Sequence, residues 1–62
     1  MTYVTAYRYA QTLITAGADR DFLTVRANRY DDDMEYGAAQ AFRDVADIHA
    51  THPTEALAEA TP

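Results

Sequence analysis

The sequence predicts an all-α protein, a small three-helix domain over residues 1–53 with a frayed C-terminal tail or short marginal helix over 54–62. Three observations predict it. Apolar residues recur at helical spacing over three stretches of helix length. Gly17, the acidic run Asp31-Asp32-Asp33-Met34-Glu35 and Pro53 separate those stretches. Sixty-two residues leave room for one domain at most, and a chain of this size buries only about 60% of its unfolded surface.

The first helix is expected from about Thr2 to Ala16. Tyr3, Tyr7, Ala10 and Ile14 step by four, three and four along one face, with Val4, Ala6 and Leu13 beside them. Thr2 suits the N-cap and Gly17 the position just past the last turn. Tyr3 to Tyr9 also carries the Thr, Tyr and Val of a strand, but no second strand is evident to pair with it, so helix is preferred.

The second helix starts from Asp19 as N-cap and carries Phe22, Leu23, Val25, Ala27 and Tyr30, ending near Asn28 to Tyr30. Phe22, Arg26 and Tyr30 share a face at four-residue steps, which lays the Arg26 stem along apolar surface with its head left polar. For the third helix, Met34, Ala38, Ala41, Phe42, Val45, Ile48 and His49 form the clearest apolar stripe. Asp32 and Glu35 are spaced as a capping box for it, and Pro53 stops it. Gly37 within that helix either loosens its first turn or, with Ala38, lets another backbone come close. After Pro53, Leu57 is the one large apolar residue, too little to hold a helix there.

Thirteen alanines inflate the apolar fraction; Leu, Ile, Val and Phe number only ten. Five tyrosines supply part of the missing core. Charge is divided unevenly. Residues 1–30 hold four arginines against two aspartates (net +2), and residues 31–62 hold Arg43 against eight acids (net −7). Lysine, serine and cysteine are absent, which removes the common activated nucleophiles, disulfide staples and thiolate metal sites. With no phosphate-cradling glycine loop either, no enzyme and no cofactor is expected. No secretory leader pattern or membrane span is visible, and a cytoplasmic setting is expected. The net charge of −5 disfavours direct binding to nucleic acid or an anionic membrane.

Two metal patterns fail. Asp31, Asp33 and Glu35 alternate as calcium ligands do, but Tyr36 and Phe42 stand where an EF-hand needs glycine and glutamate. His49 and His52 fall on the apolar side of the third helix, where packing and the helix dipole account for them. No metal is expected.

The acids themselves are the candidate site. Asp33, Gln40, Asp44 and Asp47 are expected in one polar stripe on the third helix, with Tyr36 and Arg43 along its edge. Together with Asp31, Asp32 and Glu35 they form an anionic surface able to imitate nucleic-acid phosphates. Tyr9, off the apolar face of the first helix, is a further partner-facing candidate. The leading expectation is a small acidic protein that binds another protein through that protein's basic surface. It would be an inhibitor or modulator of the phage or mobile-element type, anti-CRISPR or anti-restriction proteins being the analogous class. One alternative is a self-associating helical module, a homodimer paired through the tyrosine face and the Gly37-Ala38 patch. Another is a helix-turn-helix DNA reader using Arg20, Arg26 and Arg29.

Overall fold

In a computed structural model, which describes residues 1–51, the three expected helices form: α1 (Tyr3–Thr15), α2 (Arg20–Asp32) and α3 (Tyr36–Thr51). The expected tail over 54–62, Pro53 and His52 lie outside the described residues. No described helix is long and apolar enough to cross a membrane.

The local signals act as read. The Thr2 hydroxyl accepts from the Thr5 N–H at 3.2 Å, and the Asp19 carboxylate accepts from the Phe22 N–H at 2.8 Å. At the end of α1, Gly17 takes φ 107°. Its N–H donates to the Ile14 carbonyl and the Ala18 N–H to the Leu13 carbonyl, the paired bonds of a Schellman stop.

The boundary between α2 and α3 is displaced from expectation. α2 continues to Asp32 and α3 starts at Tyr36, so Asp32 and Glu35 form no capping box. Two contacts to α3 draw α2 onward. Tyr30 packs edge-on to Phe42 at 5.1 Å between ring centres, and the Asp31 carboxylate accepts from Arg43 at 2.5 Å. A second Schellman stop follows, with Met34 N–H to the Asp31 carbonyl and Glu35 N–H to the Tyr30 carbonyl. Here the left-handed position is filled by Met34, at φ 62°, where α1 uses glycine. Met34 therefore leaves the apolar stripe of α3 and stands 76% exposed in the turn.

α3 is the central element. α1 and α2 both pack on it and scarcely meet each other. Phe42 and Leu23 are the largest fully buried side chains; most of the remaining core is alanine, with Ile14 and Val45. Ala6 and Ala10 of α1, Ala27 of α2 and Ala38, Ala41 and Ala46 of α3 line the contacts, so the helices can approach closely. Aromatic rings finish what alanine leaves unfilled. Tyr9 as well as Tyr30 stands edge-on to Phe42, at 5.8 Å. Tyr9 is thus partly a packing residue and only 38% exposed, although it lies off the main apolar face of α1. Arg26 lies over the Phe22 and Tyr30 rings at 6.0 and 5.9 Å, as its spacing predicts. The hydroxyl of Tyr30 holds its guanidinium more firmly charged, with Tyr9 adding to the effect.

Gly37 meets the start of α1. A Cβ built on it would lie 3.7 Å from the Tyr3 backbone nitrogen, an ordinary contact. Ala38 is fully buried inside this core, which removes it as a contact for a second chain.

Candidate functional site

The six candidate acids separate into those held by the fold and those free of it. Asp31 is bonded to Arg43, whose guanidinium also donates to the Asn28 side-chain carbonyl at 2.9 Å. That bond to Asp31 raises the Arg43 pKa above its ordinary value. Glu35 accepts from the Met1 amino group at 2.8 Å. Asp44 accepts from Gln40 Nε2 at 2.8 Å and from the Tyr3 hydroxyl. The Tyr3 phenol, donating to a carboxylate, is raised above the usual tyrosine range. Asp32, Asp33 and Asp47 are exposed and enter no ion pair among the described residues.

On α3 the buried positions 38, 39, 41, 42, 45 and 46 occupy one side. At about 100° per residue, Tyr36, Gln40, Arg43, Asp44 and Asp47 fall opposite them. Tyr36, Gln40 and Asp47 are exposed; Arg43 and Asp44 are half-buried, leaning toward α2 and α1 respectively. From Tyr36 to Asp47 this strip runs about 16 Å at 1.5 Å per residue. Asp33 does not belong to it. It is the C-cap of α2, so the acids form a strip on α3 and a separate pair, Asp32 and Asp33, at the corner.

Two contacts of this site were not foreseen. Gln40 and Asp44 are four residues apart on a helix, a spacing that allowed their bond to be read. Tyr3 and Asp44 are separated by 41 residues, and nothing local marks them as partners. The pair fixes the Asp44 carboxylate between two donors from different helices.

His49 is half-buried on α3, and its Nδ1 is buried without a hydrogen-bond partner among the described residues. No cluster of three metal-ligating side chains occurs among those residues. No protein-family model, curated protein or solved structure matches this chain.

Proposed function

We propose that this protein is a non-enzymatic binding module whose acidic corner and outer α3 face engage a basic surface of another protein. The placement of Asp32 and Asp33 carries this reading. They sit at the carbonyl end of α2, where a negative side chain costs about 0.3–1 kcal/mol against the helix dipole. The start of α3 lies close by and offsets part of that cost, yet neither carboxylate accepts a hydrogen bond there. Neither carboxylate is thus held by a hydrogen bond or an ion pair among the described residues. With exposed Tyr36 as an aromatic contact and Asp47 along the strip, they give spaced negative charge on a rigid helical support. In its sharper form the surface stands in for nucleic-acid phosphates and blocks a nucleic-acid-binding groove.

The test is a triple variant, Asp32→Lys, Asp33→Lys and Asp47→Lys, which leaves the internally bonded Asp31, Glu35 and Asp44 untouched. Helicity should be kept, because lysine at the end of α2 suits its dipole. Immobilised wild type is expected to retain a basic protein from the source organism's lysate at low salt. It should release that protein at about 1 M salt, where the screening length is about 3 Å. The folded variant should not retain it. Equal retention by the folded variant refutes the reading.

A further inference from the structure

The outer face of α2 points to a second interface. Asp21, Phe22, Val25 and Arg29 lie on the side of α2 turned away from Leu23 and Ala27, and all four are exposed, Val25 by 67% and Phe22 by 44%. Neither Asp21 nor Arg29 forms an ion pair among the described residues, although Arg29 has Asp32 and Asp33 one turn away. Beside them runs a groove of about 370 Å³ lined by Val25, Arg26, Arg29, Tyr30 and Asp33.

We propose that this face pairs two copies of the chain, α2 running antiparallel to α2 of the second copy about a two-fold axis at Val25. In that register the two Val25 side chains meet at the centre. Residues equally far on either side of Val25 then face one another, which sets Asp21 of each copy opposite Arg29 of the other. Both ion pairs form at once, as an isologous contact requires. Phe22 falls against the groove of the other copy, whose wall is already formed by Arg26 stacked over Tyr30.

Charge selects this occupant over others. An acidic peptide or a nucleic-acid strand would satisfy Arg29 and leave Asp21 facing like charge; a basic segment would do the reverse. A second copy satisfies both. The interface leaves α3 outside it but shares Asp33, which lines the groove, with the acidic surface proposed above. The dimer presents the α3 part of that surface, Tyr36 and Asp47, twice, which adds avidity to its binding.

Sedimentation across micromolar to millimolar protein tests the proposal. Wild type is expected to shift from monomer to dimer in that range. Asp21→Arg alone and Arg29→Asp alone should each weaken the dimer about tenfold or more, from two exposed ion pairs turned repulsive. The double variant Asp21→Arg with Arg29→Asp should restore it, and mixing the two single variants should give a mixed dimer. Val25→Asp, at an exposed position, should leave a helical monomer. A wild type that stays monomeric throughout overturns the proposal. So does a dimer indifferent to the single changes, or one that the charge exchange fails to restore.

Discussion

Met34 occupies a backbone position that α1 gives to glycine, and replacing it tests the turn that joins α2 to α3. At φ 62° an L-residue carries a steric cost of about 1–2 kcal/mol, from the Cβ crowding the following carbonyl. Glycine is free of that cost but brings about 0.4–1 kcal/mol of extra chain entropy in the unfolded state. Because Met34 is 76% exposed, little packing is lost on truncation. The cleaner comparison is between Met34→Gly and Met34→Ala, since both remove the thioether and only alanine keeps a Cβ. The glycine variant should be the more stable by about 0.5–1 kcal/mol. For a domain of this size that is roughly 2–8 °C in melting temperature. Thermal and urea unfolding followed by circular dichroism at 222 nm would read it. Gly17→Ala is the mirror experiment. Nothing lies within 4 Å of the added Cβ, so its expected loss of about 1 kcal/mol comes from φ 107° alone. If the alanine variant at 34 equals or exceeds the glycine variant, the residue is not left-handed and α2 does not end as described.

Gly37→Ala should stabilise α3 by about 0.5–1 kcal/mol, because the new Cβ makes an ordinary contact and the helix gains propensity; a fall in the urea midpoint would contradict this. Phe42→Ala should cost about 3–5 kcal/mol, enough to abolish cooperative melting in a core this short of large side chains. A retained sharp transition would show that Phe42 is not the centre of packing. Tyr3 gives an alkaline signature. Its protonated form is the one that donates to Asp44, so its contribution is complete below the ordinary value of 10.0 and is lost as pH rises through the higher folded value. Tyr3→Phe should therefore lose less stability than wild type as pH rises past 10.0, measured by denaturant titration. Parallel losses would dismiss the Tyr3–Asp44 bond.

Features set by neighbours in sequence could be read directly. Thr2, Asp19 and Gly17 act on backbone groups within five residues of themselves, and each does what its residue type favours. The α2–α3 boundary was not local. It depends on Tyr30 finding Phe42 and Asp31 finding Arg43, twelve residues apart in each case, and these contacts outweigh the capping pattern of Asp32 and Glu35. Met34 misled for a related reason. It falls in phase with the stripe of α3, but phase has meaning only inside the helix, and the helix starts two residues later. The candidate acids illustrate both cases. Asp47 and Gln40 lie on the outer face of α3 as the period requires, while Asp33 was assigned to that face by a boundary the tertiary contacts moved. The outer face of α2 escaped notice because its apolar residues point two ways, Leu23 and Ala27 inward, Phe22 and Val25 outward, which no single stripe describes.

Because α1 and α2 lean on α3 and hardly on one another, the chain folds as a hairpin with an added arm. α2 and α3 are joined by a three-residue turn, so their contacts close a short loop at little cost and are expected to form early. α1 must return past α2 to reach Gly37 and Asp44, and its release is expected to leave the hairpin's own seam of Leu23, Ala27, Tyr30 and Phe42 in place. Amide exchange should therefore open in two tiers, α1 first, with the α2–α3 seam exchanging only on global unfolding.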